Sequence, residues 1–178
     1  MSDDVLAVSM SSVRNESESF EAFYRLHYAT VLRVALAVTG DAHRAADVAQ
    51  DAFVTAQRRW SSIGSYDRPD LWVRRVAINR ALSWRRRAAN ELLTVGRLAL
   101  RRERAVVSDA QSDSDVWHHV RLLPRQQASM IALVYVDDMS IEQAAETLGI
   151  AVPTAKTHLQ RAKRTLARRL NEEVDDDR

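Results

Sequence analysis

The chain has 178 residues, with 26 basic side chains against 24 acidic ones, four glycines, three prolines and no cysteine. Without cysteine there is no disulfide framework, thiol nucleophile or Cys-ligated zinc, and a reducing compartment fits. So few glycines and prolines argue against an all-β sandwich or a Gly-rich phosphate loop and leave long helices as the expected elements. The net charge is only +2, yet the pI is near 9.3 and 24 of the 26 basic residues are arginine, so the placement of the arginines matters.

Residues 1–19 carry six serines and four acids without an apolar period and read as a disordered lead; their acidic start is unlike a signal peptide. From Phe20 to Val38 apolar residues recur at helical spacing over a wide arc, which predicts a largely buried helix. Gly40 stops it and Asp41 is a good N-cap for a second helix. That helix puts Ala45, Val48, Ala49, Ala52, Phe53, Ala56 and Trp60 on one face, with Asp47, Gln50 and Asp51 off it. A loop is expected over Ser61–Asp67, and Pro69 suits the first turn of a third helix. There Val73, Val76, Ala77, Ala81 and Trp84 form the apolar stripe, while Arg74, Arg75, Asn79, Arg80, Arg85, Arg86 and Arg87 occupy the other faces.

Beyond Ala88 the pattern loosens, and the Ser/Asp-rich stretch Ser108–Asp115 reads as a linker. Helices are expected over Val116–Leu122 and Pro124–Val136. Ser140 with Gln143 has the spacing of a capping box, opening a short helix that buries Ile141, Ala144, Ala145 and Leu148, and Gly149 closes it. Pro153 then stands in the first turn of a last helix with the stripe Ala155, Leu159, Ala162, Leu166 and Leu170; Val152 falls at its N-cap slot, where no side-chain oxygen is offered. The tail, Asn171–Arg178, holds five acids and reads as frayed, free to fold back on the basic helix before it.

Two surfaces could carry function. The unit from Ser140 to Arg164 has the layout of a helix-turn-helix. A small Ala145 permits close crossing, Gly149 supplies the turn, and the second helix offers Thr154, Lys156, Thr157, His158, Gln160 and Arg161 to a DNA groove. A packed αα-corner with a solvated face is the bland alternative, but six basic residues and no acid lie between Thr154 and Leu170. The other surface is Arg58–Arg104, where thirteen arginines face four acids and Trp60, Tyr66, Trp72 and Trp84 are interleaved. Such a surface can grip phosphates and stack unpaired bases. Trp60 and Trp84 read as core, whereas Tyr66 and Trp72 are open to either role. Asp47 and Asp51 could form a metal or acid/base pair, but no His or third carboxylate completes it, and His118 and His119 are adjacent and so diverge on a helix. No catalytic residue, metal or cofactor is assigned.

The strings DVAQDAFVTAQRRW from Asp47, PDLWVRRVAINRALSWRRR from Pro69 and LPRQQASMIALVYVDDMSIEQAAETLGIAVPTAKTHLQRAKRTL from Leu123 resemble the extracytoplasmic-function (ECF) group of sigma-70 factors, most like actinobacterial members. The resemblance spans about Phe20 to Leu170. It implies an all-α chain of two small helical domains joined by a flexible linker: a lead (1–19), sigma region 2 (20–90), linker (91–112), sigma region 4 helix-turn-helix (113–170) and acidic tail (171–178). It further implies that Asp47, Gln50 and Asp51 dock on the β′ clamp coiled coil of core RNA polymerase. Ser61, Tyr66, Trp72, Arg75, Asn79 and Arg80 would then hold the melted minus-ten element of promoter DNA. Region 4 would meet the β flap and read the minus-thirty-five element through Lys156, Thr157, Gln160 and Arg161. An anti-sigma factor joins the candidate partners. The expected protein is a cytoplasmic, non-enzymatic initiation subunit with no membrane insertion. The alternatives are a conventional helix-turn-helix regulator acting without polymerase and, from another class, a metal-dependent nuclease using Asp47 and Asp51.

Overall fold

The computed structural model describes residues 3–98 and 114–176, with side chains over 19–88 and 116–172. Eight helices form in chain order among the described residues: α1 (Asp3–Thr39), α2 (Ala42–Gln57), α3 (Trp60–Ile63), α4 (Pro69–Leu98), α5 (Ser114–Arg121), α6 (Arg125–Tyr135), α7 (Ile141–Leu148) and α8 (Val152–Asp176). The helix boundaries follow the local chemistry. Gly40, at φ 71°, ends α1 with its N–H on the Leu36 carbonyl at 2.8 Å, and the Asp41 carboxylate accepts from the Arg44 N–H at 2.9 Å to open α2. Ser140 and Gln143 complete the capping box of α7. That helix ends in a Schellman turn, with Gly149 at φ 66° and the Ile150 N–H on the Ala145 carbonyl at 3.0 Å.

Four expectations need correction. The lead is not irregular: α1 runs unbroken from Asp3. Extending an established helix costs far less than nucleating one. The loop expected over Ser61–Asp67 begins with the single turn α3, and only residues beyond Ile63 are non-helical. The tail is helical to Asp176, and Arg168 pairs with Glu172 one turn on at 3.7 Å. As one continuous rod of about 37 Å, α8 cannot fold its acidic end back onto its own basic face. Finally, α8 starts at Val152 itself, with the Ala155 N–H on the Ala151 carbonyl at 3.0 Å, so Ala151 holds the cap position and likewise lacks a capping oxygen. Of the expected linker, residues 91–98 continue α4, and the remainder, 99–112, lies outside the described residues.

In the N-terminal domain α1, α2 and α4 pack around one core. Ala45, Ala49, Ala52 and Ala56 of α2 are fully buried, and these small side chains let α2 lie close against α1 and α4. Phe53 of α2 meets an aromatic cluster in which Trp60 lies 4.9 Å from Phe23 and 5.3 Å from Phe20, ring centre to ring centre. Trp60 is therefore core. In the C-terminal domain α6 is buried on nearly all sides, through Ala128 to Leu133, and α7 and α8 cross over it. Ala144 and Ala145 of α7 face Ala155, Leu159 and Ala162 of α8, all buried.

The two domains are packed against each other, α4 on α7 and α1 on α5 and α6. At the centre of this seam Arg74 of α4 is buried, at 8% exposure. Its guanidinium forks onto Asp137, in the α6–α7 turn, through Nε to Oδ2 and Nη2 to Oδ1, while Nη1 donates to Asp70 at 3.1 Å. Burial alone would raise the Asp70 carboxyl; hydrogen bonds from Arg68 and the charges of Arg74 and Arg68 outweigh it and hold the group below the usual carboxylate range. His27 faces the same network and is pushed down, first by burial and then by the Arg74 charge. Two flanking contacts use helix ends. A Cβ on Gly149 would lie 2.9 Å from Arg75 Nη2, and one on Gly40 would lie 2.7 Å from Arg121 Nε, so each domain lays an arginine over the glycine that terminates a helix of the other. Cations there face the negative end of the helix dipole.

Candidate nucleic-acid interface

On α8 the buried stripe fixes which side chains face outward. Thr154, Lys156, Thr157, Gln160 and Arg161 are exposed, and His158 is half-buried at the margin. The Thr157 hydroxyl donates back to the Pro153 carbonyl at 2.9 Å, leaving its lone pairs outward. The Lys163 ammonium stands 5.5 Å from the Tyr135 ring centre, at the edge of the same basic surface. No acidic side chain lies on α8 before Glu172, so the charged groups of the exposed face up to that point are all cationic, as a phosphate-lined groove requires.

The second surface is a cleft of about 770 Å³ between α2 and α4. It brings together Asp47, Gln50 and Asp51 with Asn79 and Arg80, two groups given separate duties by the sequence reading. Arg80 donates to Asp51 Oδ2 at 2.9 Å and to Thr55 Oγ1 at 2.9 Å. Asp47 lies 3.7 Å from Arg44, whose guanidinium sits 5.7 Å from the Trp84 ring centre. Each carboxylate of the pair thus faces an arginine rather than another carboxylate, and no group of three metal-ligating side chains occurs among the described residues. Trp72 is half-buried against the core, while Ser61 and Tyr66 are exposed at the end of the molecule formed by α3 and the following turn.

The domain seam engages part of this surface. Asn79 Oδ1 accepts from Arg125 Nη2 at 2.6 Å, and Arg75 is drawn over Gly149. Periodicity placed Arg74 off the apolar stripe and did not single out Asp137 or Arg125; the available signal was Asp70 one turn before Arg74, with Asp137 at the end of an apolar run. No helix among the described residues is long and apolar enough to cross a membrane.

A capped helix-turn-helix on one domain and an arginine-bearing helix on the other define a two-domain, all-helical DNA-recognition protein. The sequence matches Sigma-70 region 2 over residues 23–91 and Sigma-70, region 4 over 116–166. It is 31% identical to the RNA polymerase sigma-E factor of Streptomyces avermitilis over 166 residues, covering 88% of this chain and 85% of that one. It is 30% identical to the ECF RNA polymerase sigma factor SigL of Mycobacterium tuberculosis, with 88% and 92% covered. The fold is similar to that of the sigma factor RpoE from Bartonella quintana, solved in complex with the anti-sigma factor NepR, at a TM-score of 0.66 and 23% identity over 85% of this chain and 96% of that one. The chain belongs to the ECF sigma factors of the sigma-70 family, which bind core RNA polymerase and direct it to promoters.

Proposed function

We propose that α8 reads the minus-thirty-five element through Lys156, Thr157, Gln160 and Arg161, with Thr154 and His158 at its margins. Arg75, Asn79 and Arg80 of α4, with Trp72 and the Ser61–Tyr66 segment, hold the opened minus-ten strand. Asp47, Gln50 and Asp51 dock on the β′ clamp coiled coil, and the C-terminal domain meets the β flap. The observation that carries this reading is the exposed cationic face of α8, backed by a wholly apolar stripe and preceded by a capped helix and a left-handed Gly149. Opening a promoter costs base unstacking, and a surface that binds the melted strand better than duplex captures the open state. The chain works without catalysis of its own, in the cytoplasm, and an anti-sigma factor is a candidate partner, since the solved relative RpoE forms a complex with the anti-sigma factor NepR.

Run-off transcription with core polymerase tests the assignment. Addition of the chain should yield discrete promoter-dependent transcripts, and Asp51→Arg should abolish them by losing core binding in a pull-down. Tight binding of a duplex operator by the chain alone, with indifference to core polymerase, would refute it.

A further inference from the structure

The seam between the domains contains a second cleft, of about 430 Å³, beside the one between α2 and α4. Arg85 and Arg86 of α4 line one side, and Arg121 and Arg125 of the C-terminal domain line the other. Leu82, Trp84, Ala88 and Leu123 complete the lining among the described residues, and none of these is a carboxylate. Arg85 Nη1 is sealed from solvent without a hydrogen-bond partner. Burial pushes the Arg85 and Arg121 guanidiniums down from their usual range, and the Arg121 charge adds to the effect on Arg85. Elsewhere in the seam the more deeply buried Arg74 is neutralised twice over, by Asp137 and Asp70. Here like charges converge with no carboxylate between them among the described residues. A buried donor without a partner is costly, and its usual explanation in a folded protein is a bound water or ion.

We propose that this cleft seats a phosphate-type anion that bridges the arginines of α4 to those of the C-terminal domain. Guanidinium forks match tetrahedral phosphate oxygens two at a time, and the volume lies within the usual range for small-ligand sites, about 300–1,000 Å³. Because the ligating groups come from both domains, the anion binds the docked arrangement better than an undocked one and shifts the population toward it. The phosphate can come from a free phosphoanion or from a nucleic-acid backbone.

The test is calorimetric titration of the full chain, at fixed ionic strength in chloride, with sodium pyrophosphate and separately with the dinucleotide dTpdT. At least one should bind saturably at one site, and the double variant Arg85→Met/Arg121→Met should weaken that binding tenfold or more, with Arg33→Ala on the surface of α1 as an unaffected control. The double variant loses a like-charge pair and should melt no lower than the parent in chloride. Should it fail to fold, the exposed rim variant Arg86→Gln should still weaken binding several-fold. Saturation by pyrophosphate alone assigns a free phosphoanion, and saturation by the dinucleotide alone assigns a backbone phosphate. No saturable binding of either, or binding untouched by the arginine variants, would overturn the site.

Discussion

Asp137→Asn is the sharpest test of how the domains are held together. The substitution keeps the shape and one acceptor of the side chain but removes the charge facing Arg74, whose side chain is 9% exposed against 4% for Asp137. Removing one partner of a buried ion pair costs about 3–5 kcal/mol when the other is left bare. Arg74 is not left bare, because Asp70 remains 3.1 Å from Nη1, and the amide oxygen can still accept. The expected loss is therefore nearer that of one charged hydrogen bond, about 2 kcal/mol, or roughly thirtyfold in the docking equilibrium. Small-angle scattering should show a larger radius of gyration for the variant. Urea unfolding followed by tryptophan fluorescence should separate into two transitions, since Trp117 reports on the C-terminal domain and Trp60, Trp72 and Trp84 on the other. The double substitution Arg74→Met/Asp137→Leu replaces the pair by apolar groups and should restore compactness to within about 1 kcal/mol. Unchanged scattering and a single unfolding transition in Asp137→Asn would refute the idea that this pair latches the seam.

On α8, Lys156→Ala and Gln160→Ala should alter selectivity at the upstream promoter element in run-off assays, whereas Arg86→Ala should weaken binding across sequences and reduce the salt slope by about one. Ser140→Ala removes the capping oxygen that the Gln143 N–H uses at 3.2 Å and should lower stability by about 1 kcal/mol in chemical denaturation. Docking should also weaken in acid. His27 has its folded pKa below its unfolded 6.5 and Asp70 below its unfolded 3.8, so both contributions are complete above those values and are lost as pH falls through the folded ones. Scattering from pH 7 down to pH 3 should show opening that starts below about 6.5 and completes below about 3.8, and His27→Gln should remove the upper part of the change.

Much of this architecture was legible because its signals are local. The Gly40–Asp41 junction, the Ser140 capping box and the buried alanine face of α2 each depend on neighbours within a turn or two, and period and capping chemistry report them directly. The outward face of α8 followed for the same reason, once Ala155, Leu159 and Ala162 were placed inside. The helical lead and tail were misread from composition: serine and acid content lowers helix propensity, but continuity with a docked helix supplies the nucleus that an isolated segment lacks. Arg74 was misread for the opposite reason. A charged residue beside an apolar stripe is assigned to solvent unless its partner is known, and its partner here is 63 residues away. Arg85 and Arg121 share that difficulty, since only the seam brings them together.

Arg80 joins α4 to α2 through Asp51 at an exposed site, with side chains 42% and 62% accessible. Such a pair is worth at most about 1 kcal/mol, yet its position gives it a role in the order of assembly. A basic protein surface that draws Asp51 away from Arg80, or a phosphate that draws Arg80 away from Asp51, breaks this contact. The contact is broken only once, so whichever ligand arrives first spares the second that cost. By reciprocity each raises the affinity for the other by the same factor, up to about fivefold. Polymerase held on one side of the cleft and DNA on the other would then be linked through a single guanidinium, with no change of backbone required.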